Sequence, residues 1–270
     1  MAKTKEQLLN ILDQFQLDEK VVSAEPFGNG HINDTLKVTN EKGEIKYVLQ
    51  RINHLIFTNV DMLQNNIHVV TTHIRKKLEE KGETDIDRKV LTFLPTKDGK
   101  KYYFDGDSYW RVCLFIPRSK SYEEVTPELS YEAGKAFGDF QTMLSDIPEG
   151  TLGETIPDFH NMEFRLRQFH EAVAANPAGR LEEVKDLVEE IEKRAEAMCI
   201  QERLYREGQL KKRTNHCDTK VNNMMFDADS DKVLCVIDLD TVMPGFVLSD
   251  IGDFIRTGIR VPRTMRIWIT

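Results

Sequence analysis

Apolar positions along the first 120 residues alternate between two periods. Leu8, Leu9, Ile11, Leu12 and Phe15 recur at helical spacing and predict an amphipathic helix over residues 4–15. Residues 21–27 read as a strand that runs into Gly28-Asn29-Gly30. Residues 34–38 and 46–52 are short β-branched or apolar runs on either side of a turn at residues 40–43. Helical spacing returns with Leu63, Ile67, Val70, Ile74 and Leu78, which fall on one face. Further strands are predicted at residues 89–94, 101–104 and 109–116. The order is an antiparallel sheet with one inserted helix.

Beyond a linker at residues 117–122 the pattern turns helical. Residues 132–144 carry Ala136, Phe137, Phe140 and Leu144 on one side, and residues 161–174 read as helix. Residues 181–201 place Leu181, Val184, Leu187, Val188, Ile191 and Met198 in helical register, with Glu and Lys forming a solvated face. The expected class is α+β: a β-rich lobe over residues 1–116, the linker 117–122, and a helical lobe over residues 123–270.

Composition narrows the function. Hydrophobic residues make up 40% of the 270 positions, which suits a folded chain and argues against disorder. The net charge of -8 and the lack of a basic patch with interleaved aromatics exclude nucleic acid as an expected partner. No apolar run approaches the roughly 20 residues that span a bilayer, and the N-terminus lacks a secretory apolar core. Cys113, Cys199, Cys217 and Cys235 stand far apart, which reads as reduced thiols and a cytoplasmic location. Oligomeric state is not fixed by the sequence, and a monomer is the default.

The chemistry concentrates between His216 and Asp240. Asp218, Asn223 five positions later, and Asp238 at the end of an apolar run form a phosphoryl-transfer constellation. Such transfer needs a carboxylate to orient the attacking hydroxyl and oxygen ligands to hold magnesium on the phosphates. Asp218 serves the first need; Asn223 and Asp238 serve the second. A charge at the tip of a buried strand is costly unless paired or metal-bound, which singles out Asp238. His216 is expected to orient the Asp218 loop, with a satisfied core histidine as the alternative, and Asp240 to touch metal or cap the following turn. Lys220 is within reach of a transferring phosphate or is a plain surface lysine. Of Asp250 and Asp253, one is expected to accept from backbone N–H groups of the loop, with helix capping as the alternative. Gly28-Asn29-Gly30 lies between two strands and no GK[ST] follows, which argues against a Walker loop. A glycine hairpin there can bring N–H groups to phosphate oxygens, and an ordinary turn is the alternative.

These residues resemble the HGDxxxxN…ID pattern of the aminoglycoside phosphotransferase and choline kinase superfamily. The closer resemblance is to the N-acetylhexosamine 1-kinases. It rests on residues 218–223, residues 235–245 and the run from Gly28 to Thr35, with residues 47–53 and 156–160 also similar. The resemblance implies a protein-kinase-like two-lobe fold and ATP-dependent phosphorylation of the anomeric hydroxyl of GlcNAc or GalNAc. By position, Asp218 is then the base, and Asn223 and Asp238 are the magnesium ligands. Gly28, Asn29, Gly30, His31 and Asn33 cover the phosphates, and Phe115 and Ile116 lie beside adenine. Asp158, Phe159, His160 and Asp240 are candidates for the sugar site. The third strand offers Gln50 and Arg51 where kinases place a lysine, and alternation lets only one face the cleft. Arg51 is the charged choice. The expected partners are thus ATP, magnesium and a small-molecule sugar.

Three departures qualify that picture. Cys217 stands where the pattern has glycine, which is tolerable unless the position needs φ > 0. The helix over residues 61–78 contains no Glu to pair with a lysine. The resemblance fades after Gly258, and residues 259–270 are basic and apolar. The expectation is a truncated or frameshifted product lacking C-terminal helices of the sugar pocket, with a divergent tail as the alternative. Two rival readings are a related kinase acting on an aminoglycoside, choline or homoserine, and a non-catalytic nucleotide- or sugar-binding protein.

Overall fold

The computed structural model describes residues 3–28, 32–123 and 126–258; Asn29, Gly30, His31 and the tail 259–270 lie outside the described residues. Helix α1 (Lys5–Leu12) opens on a capping box. Thr4 Oγ1 accepts from the Gln7 amide at 3.3 Å, and Gln7 Oε1 accepts from the Thr4 amide at 2.9 Å. It ends at Leu12 instead of 15, because Phe15 leaves the helix to bridge Thr96.

Strands β1 (Val21–Pro26), β2 (Asp34–Asn40) and β3 (Ile45–Ile52) follow, then helix α2 (Val60–Glu80). A single helical turn α3 (Ile86–Lys89) precedes β4 (Phe93–Leu94), β5 (Tyr103–Phe104) and β6 (Tyr109–Leu114). These strands form one antiparallel sheet in the order β1-β2-β3-β6-β4, with β5 also on β6. Its two faces follow from strand alternation. Leu36, Val38, Tyr47, Leu49, Trp110 and Val112 pack under α1. Thr35, Gln50 and Arg111 occupy neighbouring strands on the other face. Of the strand expected over 89–94 only β4 forms, and Lys89 instead ends α3. Asp87 is held by Arg75 and Thr92, and Arg88 by Asp227, so the polar side chains here find partners outside a β ladder.

The second half begins with β7 (Ser119–Lys120), so the expected linker is itself partly a strand. It pairs with β9 across Ser119–Asp227 and Lys120–Phe226. Helices α4 (Pro127–Leu144) and α5 (Met162–Ala175) start on the side-chain caps Thr126 and Asn161. The helix expected over 181–201 is interrupted: a 3₁₀ turn (Leu181–Val184), α6 (Lys185–Met198) and α7 (Ile200–Arg206) succeed one another. Strand β8 (Arg213–Asn215) pairs with β11 (Met243–Gly245), while β9 (Met224–Asp227) and β10 (Val233–Val236) form a hairpin. Helix α8 (Val247–Gly258) closes the described chain.

The main core lies between the halves. Leu63, Ile67 and Val70 of α2 are essentially inaccessible and share a cluster with Phe140 and Leu144 of α4 and with Leu239 and Val242. Each such burial stabilises by about 1.5–3 kcal/mol. The architecture is α+β as expected, an antiparallel-sheet lobe followed by a helical part. No helix among the described residues is long and apolar enough to cross a membrane.

Candidate active site

The site is built on the two turns that leave β8 and β10. His216 follows β8, is fully buried, and meets Phe137 and Phe140 of α4 edge-on. Its Nε2 donates to the Ile237 carbonyl at 2.9 Å, and its Nδ1 accepts from the Asp218 amide at 3.3 Å. Those partners fix the Nε2–H tautomer, since a carbonyl only accepts. The ring therefore ties the β8 turn to the β10 turn. Asp250 of α8 reinforces the first turn: its two oxygens accept from the His216 and Cys217 amides at 3.0 and 2.9 Å. Gln141 Nε2 donates to the same carboxylate at 3.1 Å. Asp250, not Asp253, is thus the carboxylate that binds the loop backbone.

Cys217 has φ +63°, the left-handed region, at the position where the family pattern has glycine. Burial pushes its thiol well above the ordinary value, and Asp250 adds to the effect.

Asp218 is half-buried. Its Oδ2 accepts from Asn223 Nδ2 at 3.0 Å and meets Lys220 Nζ at 2.9 Å. The Asn223 amide also donates to the Asp218 carbonyl at 2.8 Å. Asn223 in turn accepts the Ile237 amide on its own carbonyl at 2.9 Å, which brings β10 and its end alongside. Asp238 sits at that end with φ +58° and makes no capping hydrogen bond. It is open to the cleft yet ringed by protein. Burial, then the charge of Asp240, push its carboxyl up to about 6, with His216 and Arg111 pulling the other way. The structure therefore brings Asp218, Asn223 and Asp238 together. Asn223 Oδ1 and the Asp238 carboxylate are hard oxygen donors, and among the described residues neither takes a side-chain hydrogen bond. No cluster of three or more His, Cys, Asp or Glu side chains able to hold a metal occurs among the described residues. This donor set fits magnesium, which keeps water and phosphate oxygens as most of its ligands.

Other expected residues fall differently. Asp240, expected in the acceptor site, is 2% exposed. Arg111 takes both of its oxygens, at 2.5 and 3.0 Å, and Asn33 Nδ2 shares one at 2.5 Å, so they face protein. Arg51 lies on the α1 face of the sheet, half exposed and paired with Asp34. Gln50 takes the opposite face beside Arg111, from whose Nε it accepts at 2.9 Å. Of the glycine loop, Gly28 has φ +77°, and Asn33 also accepts from the Asn53 amide at 2.9 Å. Phe115 receives the edge of Phe27 at 6.1 Å, and Ile116 is buried with its carbonyl accepting from Ser119.

Asp158, Phe159 and His160 do converge on one hollow, open in part to solvent, which also borders Cys217, Glu202 and Lys212. Phe159 and His160 stack at 4.6 Å and 18°. Burial lowers His160, while Asp250, Asp253 and Asp218 oppose it. Burial likewise raises Glu202. Lys212 is engaged by Glu154 at 3.1 Å. Two residues went unnoticed in the sequence. Arg111 had a signal, a lone cation inside the apolar run of β6; Glu202 had none, because it is one of several acidic residues on a charged helical stretch.

The sequence matches the model of the phosphotransferase enzyme family (APH) over residues 23–267. In three dimensions the chain is similar to an aminoglycoside phosphotransferase from Alicyclobacillus acidocaldarius, with a TM-score of 0.61 and 16% identity over 96% of this chain and 72% of that one. It is also similar to a spectinomycin phosphotransferase solved with ADP and spectinomycin, with a TM-score of 0.55 and 13% identity over 98% of this chain and 83% of that one. At these identities the structures speak for a shared kinase-like fold. The family match, which spans most of the sequence, carries the further conclusion: the chain belongs to the phosphotransferase enzyme family.

Proposed function

We propose that this chain transfers the γ-phosphoryl group of ATP to the anomeric hydroxyl of an N-acetylhexosamine, GlcNAc or GalNAc. The observation that carries the reading is the meeting of Asp218, Asn223 and Asp238 beside the hollow bordered by Cys217 and His160. Asp218 accepts the hydroxyl proton as the sugar oxygen bonds to phosphorus and the bridge to the β-phosphate breaks. Lys220 and Asn223 hold its Oδ2, which leaves Oδ1 for the hydroxyl. The His216 ring and Asp250 fix the loop, so the carboxylate needs little rearrangement to act. Magnesium bound by Asn223 and Asp238 would offset charge on the phosphate oxygens. The loop from Gly28 to Asn33 would cover the nucleotide, with Phe115 and Ile116 beside the base. The spectinomycin phosphotransferase with its bound ADP supports a nucleotide in this fold.

For the acceptor, the reading rests on the sequence resemblance and on the stacked Phe159–His160 slab, which offers an apolar face to a sugar ring. One observation favours a second acceptor class. Lys212 is taken by Glu154, and the Glu202 carboxylate has no hydrogen-bond partner among the described residues, which suits an amine-bearing acceptor. A panel of GlcNAc, GalNAc, an aminoglycoside, ethanolamine, choline and homoserine with magnesium-ATP, read by ADP release, separates the two. Turnover with the N-acetylhexosamines is the expected result. Turnover confined to the amines would transfer the assignment to the second class.

A further inference from the structure

The sheet reaches the cleft floor through one buried cation. Arg111 lies inside β6 and is 2% exposed, as is Asp240. All three of its guanidinium nitrogens are engaged: Nε donates to Gln50 Oε1 at 2.9 Å, and Nη1 and Nη2 donate to the two Asp240 oxygens. Gln50 in turn donates to Thr35 Oγ1 at 3.1 Å. With Asn33 also donating to Asp240, three sheet-lobe segments hold one carboxylate: the chain before β2, β3 through Gln50, and β6. The stacking face of Phe93 lies 5.4 Å from the guanidinium and completes its enclosure.

A pair this buried is a poor device for stability, because the desolvation of both ions cancels most of their attraction. Its place in the chain points to another use. Asp240 belongs to the 3₁₀ turn Leu239–Thr241, which is entered through Asp238 in the left-handed region. Thr241 Oγ1 donates to the His216 carbonyl at 2.8 Å, and Asp240 is clamped by Arg111. The turn is therefore held at both of its polar positions, and the direction of Asp238, at its entrance, is set by what holds Asp240.

We propose that Arg111 is a positioning residue: by gripping Asp240 with a two-pronged bond it aims the Asp238 carboxylate, and through the shared Asn33 it couples the chain beside the glycine loop to that aim. The inference rests on the reading of Asp238 as a magnesium ligand. Bidentate geometry is central to it, so lysine cannot substitute for arginine here.

The test is calorimetric titration of ADP with and without magnesium, on wild type, Arg111→Lys and the apolar double variant Arg111→Met/Asp240→Leu, each first melted by circular dichroism. The expected result is a folded double variant and a loss of roughly tenfold or more in the magnesium enhancement, taken as the ratio of ADP affinities with and without magnesium, in both variants, the size found when partners of metal ligands are removed. A folded double variant that keeps the full enhancement overturns the proposal, and so does a double variant that does not fold, since the pair then serves the fold. A wild type without magnesium enhancement overturns the magnesium reading and this inference together.

Discussion

Cys217 shows what one side chain costs at a demanding backbone position. A non-glycine residue at φ +63° carries about 1–2 kcal/mol of strain. The thiol is nonetheless fully packed. A Cβ added at Gly245 would stand 3.0 Å from its Sγ and 3.4 Å from Asn215 Nδ2. The absent side chain at 245 thus makes room for the extra one at 217. Gly245→Ala is expected to destabilise by about 1–3 kcal/mol through overpacking. Cys217→Gly alone should be near neutral, because relief of strain offsets lost burial. Combined, the second change should recover most of the first, a coupling of about 0.5 kcal/mol or more in a urea-unfolding cycle. Strict additivity would remove the claim that the two positions are matched. The substitution itself was legible in the sequence, where Cys217 interrupts the glycine pattern. The positive φ was not, because nothing local to the residue demands it; Asp250 and the β8–β11 pairing impose it.

Among elements, α8 earns its place by one residue. Asp250 is 2% exposed and accepts from the amides of His216 and Cys217 and from Gln141 of α4, so it joins two helices to the turn before Asp218. Asp250→Ala leaves these donors buried without partners and should cost about 3 kcal/mol or more, measured by chemical denaturation. A loss under about 1 kcal/mol would mean that the turn stands without α8. The sequence marked this element well, since one of two carboxylates three positions apart around Gly252 was expected to bind the loop. It marked α2 equally well, because Leu63, Ile67, Val70, Ile74 and Leu78 all bury as their spacing requires. Polar segments were harder. The strand expected over 89–94 loses its first residue to a helical turn, whose Asp87 and Arg88 are held by Arg75, Thr92 and Asp227. The break at Cys199 likewise carries no breaker residue; α6 and α7 present no fully buried position that would hold one straight helix.

At the scale of the molecule, the two halves meet at the cleft through polar bonds as well as apolar packing. Arg88 reaches Asp227 at 2.9 Å, β7 adds to the β9–β10 hairpin, and Arg111 reaches Asp240. The meeting of Asp218, Asn223 and Asp238 was foreseeable because all three flank one hairpin, within 21 residues. The pairing of Arg111 with Asp240, and the choice of Gln50 over Arg51, were not foreseeable, because both depend on sheet register and on how the sheet seats on the helical part. Arg51, the charged choice, faces the other way for the same reason.

The central claim is that Asp218 acts on the acceptor hydroxyl and not on the nucleotide. Asp218→Asn keeps the size of the side chain and removes the base. ADP release in the presence of GlcNAc, compared with calorimetric binding of magnesium-ADP, tests it most directly. The account predicts a fall in kcat of about 10²–10⁴-fold with nucleotide affinity unchanged. A variant that turns over at the wild-type rate, or that loses nucleotide binding along with turnover, would contradict it.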